Sequence, residues 1–458
     1  MNRDVYSLLL LWTAAACAQN TVAPAAPTDE DFHIYTDAPR LLLNKAKLRR
    51  VQREKERMSM RWEQFDMLVS GGVPMAEPGF AYALYYRASG NAAAGRKAVD
   101  WALSADASDL RQLALVFDWC GPVMNAQLSD RLGAKIQTQL TAPAPTAAPL
   151  DIRSQSARAL AAAAIADRLP DQGAVILADI VRKWWRGSIV PRLLRGEPAI
   201  PREQVYALYE MMHVVRDNLK IDLRESADDF FKQLPMDHLT GQYPAPFPAD
   251  QGLFHIPVYV RDGEPDLTEA ARARAAEMAM VAFDNNAADS QYLQGWLMQD
   301  RFQMQDAFGS PYEFLWADPY QPGLSYFQVP LVFHDGLTGH LFARASWDED
   351  TPWIGYFDGH LQMFRDGSIQ TLKPGAAVAP VRIGDAVVMS APAKDAAKFR
   401  IDSTILFVLS LEPHATYDIE IDDQKLDEAE TDAGGTLVLT VPEGTEAGVR
   451  IRLRKDLN

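Results

Sequence analysis

Trp316-Ala317-Asp318-Pro319-Tyr320-Gln321-Pro322-Gly323-Leu324-Ser325 separates two halves of the chain that carry different periodicities. Two prolines within ten residues stop any helix. Upstream, from Pro39 to about Phe308, apolar residues recur at helical spacing. Downstream they come in short runs suited to strands.

The upstream half predicts a long series of helices. Leu41–Leu68 carries apolar residues at helical spacing among Arg, Lys and Glu. Further helices are expected over 79–88, 92–103, 108–119, 126–140, 154–168, 172–185, 202–219, 227–234, 267–283 and 289–303, with a proline-rich loop over 141–150. The almost wholly small, apolar stretch 159–166 suits a helix buried on most sides. Paired helices with short turns over more than two hundred residues suggest an (α/α) toroid or solenoid, although no exact repeat is visible. Downstream, Leu361–Arg365, Asp366-Gly367 and Ser368–Leu372 read as a hairpin with a type I′ turn. Strands are also expected over 401–411, 416–421, 436–441 and 448–453, closing an antiparallel β-sandwich. The expected class is therefore α+β multidomain, with a toroid-like helical domain over 39–315 and a β-sandwich over 316–458.

The first residues suggest export. Arg3, the apolar run Val5–Trp12 and the small residues Ala16 and Ala18 form a secretory signal pattern over 1–18, followed by an Ala/Pro-rich leader over 19–38. This implies a periplasmic or extracellular location, with acylation of Cys17 as the alternative to cleavage after Ala18. The apolar run is too short for a stable membrane anchor, and no integral membrane segment is expected elsewhere. With Cys17 removed, Cys120 stands alone, so stability must come from the core rather than from disulfides. The net charge of −16, from 45 basic and 61 acidic residues, argues against a nucleic-acid partner. A local basic groove for acidic sugars remains compatible with it. The eight scattered histidines and the lack of a cysteine cluster predict no metal site, and no cofactor motif is present. Oligomeric state is not legible in the sequence.

Three segments, in order, resemble the heparinase II/III-like polysaccharide lyases: Pro39-Arg40-Leu41-Leu42-Leu43, Leu113–Cys120 followed by Leu128-Ser129, and Phe342–Asp350 with its Arg344-Ala345-Ser346-Trp347 core. The resemblance implies a toroid joined to a β-sandwich, with an acidic, uronate-containing polysaccharide or oligosaccharide in the cleft between them. A lyase must neutralise the uronate carboxylate, remove the adjacent proton and protonate the leaving oxygen. Tyr206 corresponds loosely to the family's catalytic tyrosine, with Glu203 three residues before it. Arg153 or Gln155 stands where the family carries an Asn or His. His360 is what remains where the family has a two-histidine loop, whereas His334 and His340 do not match that motif and read as surface or turn residues.

Tyr206, Tyr209 and His213 share one helical face, which serves either a cleft or a packed core. Trp184, Trp185 and Arg186, with Arg192, Arg195 and Arg202, could stack on sugars and grip anions, or form a buried tryptophan pair with solvated arginines around it. Trp296, amid Asp284, Asp289, Asp300 and Asp306, could belong to a carboxylate pair for glycoside hydrolysis or to a solvated helix. The candidate catalytic set is thus Tyr206, His213, Arg153 and His360. The candidate substrate contacts are Trp184, Trp185, Arg186, Arg202, Tyr209 and Trp296. Three functions remain open: a polysaccharide lyase working by β-elimination, an inactive glycan-binding protein that keeps the lyase fold, and a glycoside hydrolase on the same scaffold.

Overall fold

The computed structural model of the chain describes residues 30–141, 151–249, 252–261, 263–299, 304–373, 378–383, 386–390, 397–401, 405–422, 424–440 and 447–453. The expected signal pattern over 1–18, most of the leader and most of the loop over 141–150 lie outside these residues. No helix among the described residues is long and apolar enough to cross a membrane.

The helices are α1 Lys45–Glu56, α2 Met60–Ser70, α3 Pro78–Ser89, α4 Ala92–Leu103, α5 Leu110–Trp119, α6 Ala126–Thr141, α7 Ile152–Ala164, α8 Pro170–Ala178, α9 Val190–Leu193, α10 Val205–Leu219, α11 Asp228–Thr240, α12 Leu267–Phe283, α13 Ala288–Gln299 and α14 Gly309–Trp316. The single helix expected over 41–68 is two. Met58 takes a positive φ of 49°, and Ser59 caps α2 by accepting from Trp62 N–H. A π-helical stretch, Asp179–Ile189, links α8 to α9.

Six helices pack in succession: α3 on α5, α5 on α7, α7 on α10, α10 on α12, α12 on α14, and α14 back on α3. Their ends are held by charge. At one end, Arg111 at the start of α5 reaches Glu77 before α3 and Glu210 in α10, and Tyr312 of α14 donates to Glu77. At the other, Arg40 bonds Asp167 beyond α7 and sits 3.8 Å from Asp118 of α5, while Arg216 donates to the Phe283 carbonyl that ends α12. Arg50 likewise takes the last carbonyls of α14. The starts of α3, α5 and α14 thus gather at one end of the ring and the finishes of α5, α7, α12 and α14 at the other, where cations offset the helix dipoles. The alanines of α7 from Ala159 to Ala164 are all buried, which lets α5 and α10 approach closely from either side.

Three sheets follow a small hairpin, β1 Phe247–Ala249 and β2 Gly252–Phe254. The first, in strand order, holds β3 Val332–Asp335, β4 His340–Arg344, β5 Trp353–Phe357, β6 His360–Arg365 and β7 Ser368–Leu372, all antiparallel. The β6–β7 turn places Asp366 and Gly367 at φ of 52° and 74°, the type I′ geometry expected of that pair. The remaining strands are β8 Val378–Ile383, β9 Ala386–Ser390, β10 Ala397–Ile401, β11 Ile405–Leu409, β12 Thr416–Ile421, β13 Gln424–Glu430, β14 Leu437–Thr440 and β15 Ala447–Leu453. They form one sheet ordered β14-β11-β9-β8 and another ordered β10-β15-β12-β13. β9 and β11 pair in parallel, so the β region is mixed rather than antiparallel throughout.

Side-chain alternation shows how the sheets layer. Val387, Met389, Leu406 and Val408 join a core with Tyr417, Ile419 and Ile451 of the last sheet. Their neighbours Val388, Phe407 and Leu409 face Leu341, Ile354 and Leu361 of the first. The middle sheet is therefore covered on both faces, which is why its strands read as unbroken apolar runs (Ala386-Val387-Val388-Met389 and Leu406-Phe407-Val408-Leu409) rather than as alternation. The first sheet turns Phe342, Trp353, Phe357 and Phe364 into the core of the helices. Arg344 is buried there, donating to the Thr240 carbonyl that ends α11 and to the Gln242 carbonyl just beyond it, and standing 4.1 Å from the Trp347 ring.

Candidate active site

A cleft of about 900 Å³ opens where the starts of α10 and α12 meet the first sheet. On its helical side stand Arg153, Arg202, Glu203 and Glu269. On its sheet side stand His340, Phe342, Tyr356, Phe357 and Asp358. Phe230, Leu234, Ile256 and Tyr259 supply apolar surface.

A chain of titratable side chains in contact lies within it. Asp237 falls in the last turn of α11, where helix carbonyls make a carboxylate unfavourable unless cations face it. Two do. His340 Nδ1, at the start of β4, is 2.6 Å from Asp237 Oδ2, and Arg202 Nη1 is 3.7 Å from Oδ1. His340 Nε2 in turn stands 3.4 Å from Asp358 Oδ1, in the two-residue turn between β5 and β6. Burial works against charge on His340, but Asp237 and then Asp358 outweigh it and hold the imidazole up at about 10. Burial likewise pushes the Asp237 carboxyl up, yet His340 and Arg202 keep it below the usual carboxylate range. Near neutral pH these shifts favour an imidazolium on His340 beside the Asp237 carboxylate.

The helical side is tied down by further contacts. Arg202 also donates to the His238 carbonyl and lies 3.6 Å from Glu277, which accepts from Gln242. Arg153 donates to the Glu203 carbonyl and stands 3.5 Å from Glu269 Oε2. Glu269 occupies the first turn of α12, where the helix dipole favours its charge, and Arg272 donates to its Oε1. Gly196, at φ 70°, packs against the β3–β4 turn so closely that a Cβ would sit 2.0 Å from the Leu337 carbonyl oxygen. It holds the loop 196–201 along the rim.

The sequence candidates divide sharply. Arg153 and Arg202 line the cleft; the rest do not. The Tyr206 face of α10 turns inward because α7 and α12 pack on both flanks of that helix. Tyr206 Oη donates to Glu210 Oε1 at 2.5 Å and accepts from Trp316 Nε1 at 3.0 Å, and Arg111 lies 5.7 Å from its ring. Burial, then Glu210, pushes its phenol well above 10, so a phenolate base is disfavoured. His213 is buried at 3.0 Å from the Ala279 carbonyl and kept neutral by burial and by Lys47. Tyr209 meets Phe231 and Phe283 edge-on. Trp184 and Trp185 are buried as a pair, with Trp185 Nε1 donating to the Leu223 carbonyl, and Arg186 shares their π-helical stretch away from the cleft. Trp296 packs among His255, Tyr326 and Trp347. Near it, Asp284 pairs with Arg224 and Asp306 accepts from the Gly309 N–H, and neither lines the cleft; Asp300 lies outside the described residues. His360 packs against Phe357 instead of entering the cleft, and His340 takes that place.

Sequence reading missed Asp237, His340 and Asp358. One signal was present: an acid in the last turn of a helix calls for a facing cation. Nothing in the sequence told which cation would supply it.

The fold and site define a helix-rich region joined to mixed β-sheets, with an acid–base cleft at the junction. No protein-family model and no curated protein matches the chain. Among solved structures it is similar to one described as a glycoside hydrolase, with TM-score 0.31 and 9% identity over 93% of this chain and 78% of that one. It is also similar to a GH127 β-L-arabinofuranosidase from Geobacillus stearothermophilus T6, with TM-score 0.24 and 11% identity over 82% of this chain and 60% of the other. At these TM-scores and identities the likenesses carry no argument about what this chain does.

Proposed function

We propose that the chain is a carbohydrate-active enzyme that hydrolyses a glycosidic bond of a glycan lying in this cleft. In this reading the helical succession is an (α/α) toroid over 39–315, the strands of 316–458 form a layered sandwich, and the chain is exported after loss of residues 1–18. The observation that carries the proposal is the Asp237–His340–Asp358 chain in a cleft that also presents the half-buried Phe230 and Tyr259 rings. An imidazolium held in place by a buried carboxylate is a positioned proton donor. Phenyl and phenol faces suit the C–H faces of sugar rings.

The chemistry divides between the two walls. The His340 imidazolium gives its proton to the leaving oxygen as the anomeric C–O bond breaks and its electron pair passes to that oxygen. Water supplies the new bond to the anomeric carbon. Its proton goes to a carboxylate of the helical wall, where Glu203 and Glu269 stand. Asp237 touches no substrate in this scheme; it positions the imidazole and fixes its charge. The remote structural likenesses lend no weight to this assignment.

β-Elimination, which the heparinase II/III-like resemblance implies, is a second reading. The Arg153 and Arg202 guanidiniums in the same cleft favour it, since a uronate carboxylate needs cations. The sealed Tyr206 speaks against it. Incubation with a panel of neutral and uronate glycans, followed by reducing-end and ultraviolet assays, separates the readings. Hydrolysis gives new reducing ends without absorbance, and His340→Gln lowers it by about 10²-fold or more. Unsaturated, absorbing products would overturn hydrolysis in favour of elimination. Binding without cleavage anywhere on the panel would reduce the protein to a glycan-binding module.

A further inference from the structure

Exposure rises along the titratable chain of the cleft. The Asp237 side chain is 15% exposed, that of His340 19% and that of Asp358 54%. Asp237 holds His340 Nδ1 at 2.6 Å, so Nε2 is the ring nitrogen left to meet a ligand. Asp358 Oδ1 stands there in the free protein, at the looser distance of 3.4 Å. The other Asp358 oxygen has no hydrogen-bond or ion-pair partner among the described residues.

The turn that carries Asp358 is fixed in its backbone and free at its tip. Phe357 and His360 close it as a cross-strand pair, and Asp358 and Gly359 take φ of 48° and 75°. A Cβ added at Gly359 would meet nothing within 4 Å, so the space around the tip is open.

We infer that Asp358 is a substrate-binding residue: a hydroxyl of the sugar on the leaving side donates to its carboxylate, drawing it off His340 Nε2 and seating the leaving oxygen there. The inference rests on the hydrolytic reading and deepens it. Oxygens on adjacent carbons of a sugar ring lie close enough for one to face Nε2 while its neighbour reaches Asp358. The leaving sugar therefore carries a free hydroxyl next to the cleaved linkage. Once Asp358 is drawn off, the imidazolium loses one of the two carboxylates that hold its proton, and it becomes a stronger acid as the leaving oxygen arrives. The proton passes from Nε2 to that oxygen as the C–O bond breaks; Asp358 takes none.

Asp358→Asn tests this, because asparagine keeps the positive φ and the shape of the turn. Xylo-, manno- and gluco-oligosaccharides and oligogalacturonate serve as probes of the full-length protein, in high salt that screens Asp358 from a uronate charge. For whichever probe is hydrolysed, KM should rise about tenfold, the difference between a charged and a neutral acceptor, with kcat changing by less than about threefold. The His340 Cε1–H resonance gives a reading independent of turnover. Saturating leaving-side product should move its titration downward in the wild type and leave that of Asp358→Asn in place. An unchanged KM, a kcat that drops in its place, or a His340 titration indifferent to product overturns the inference and leaves the hydrolytic reading standing. If the wild type hydrolyses no probe, that reading fails and the inference falls with it.

Discussion

Replacing Asp237 by Asn removes the carboxylate that fixes His340 without changing the shape of the side chain. In the folded protein His340 titrates at about 10, against 6.5 for the free side chain. That difference corresponds to about 3–5 kcal/mol of stability, the lower figure allowing for partial solvent access. A raised folded value means that this stability is fully present below about pH 6.5 and is lost as pH rises through about 10. In Asp237→Asn, burial dominates and His340 falls to or below its ordinary value. The variant should lose about 2–4 kcal/mol near neutral pH, with the deficit shrinking to below about 1 kcal/mol above about pH 10.5. Urea unfolding across that range measures the stability, and the pH-dependent shift of the His340 Cε1–H resonance measures the titration. If wild-type His340 titrates near its free value, or the deficit does not change with pH, the electrostatic account of the pair is refuted.

Other consequences concern packing and the rival chemistry. Tyr206→Phe strands the Trp316 indole N–H and removes a bond to the Glu210 carboxylate, so it should cost about 1–3 kcal/mol in thermal or urea unfolding. Glycan cleavage by that variant should persist, whereas its abolition would return Tyr206 to the catalytic set. Gly196→Ala meets both a positive φ and the Leu337 carbonyl oxygen, and should lower stability by about 2 kcal/mol or more while disturbing the rim, read as weaker glycan binding by titration. Arg344→Met leaves the Thr240 and Gln242 carbonyls without this donor and should destabilise by about 2–4 kcal/mol in urea unfolding, because Arg344 is buried against them.

Much of the helical half was legible because surface helices carry a clear apolar stripe and their ends carry caps. Asp109 and Asp266 accept from the first N–H groups of α5 and α12, and α4 and α12 begin and end where periodicity placed them. The break at Met58 was hidden because apolar spacing runs on across it. In the β half, the Asp366-Gly367 turn was readable from local chemistry alone. The parallel pairing of β9 with β11 was not, since a strand covered on both faces gives an apolar run with no directional mark. The site was harder still. Its parts come from the end of α11, the start of β4 and a β-turn, more than a hundred residues apart, and only folding brings Asp237 against His340. Periodic aromatics such as Tyr206 and Tyr209 drew attention by their spacing, but that spacing is what a packed helix shows. Arg153, expected where the family carries an Asn or His, and Arg202, expected as an anion grip, both line the cleft, where each also contacts neighbouring protein groups.

Cleavage of a glycan in heavy-oxygen water, with products read by mass spectrometry, tests the central claim most directly. The account predicts one heavy oxygen at each new reducing end with the wild-type protein, and loss of that label with His340→Gln. Unsaturated products without label, or undiminished labelling by His340→Gln, would contradict it.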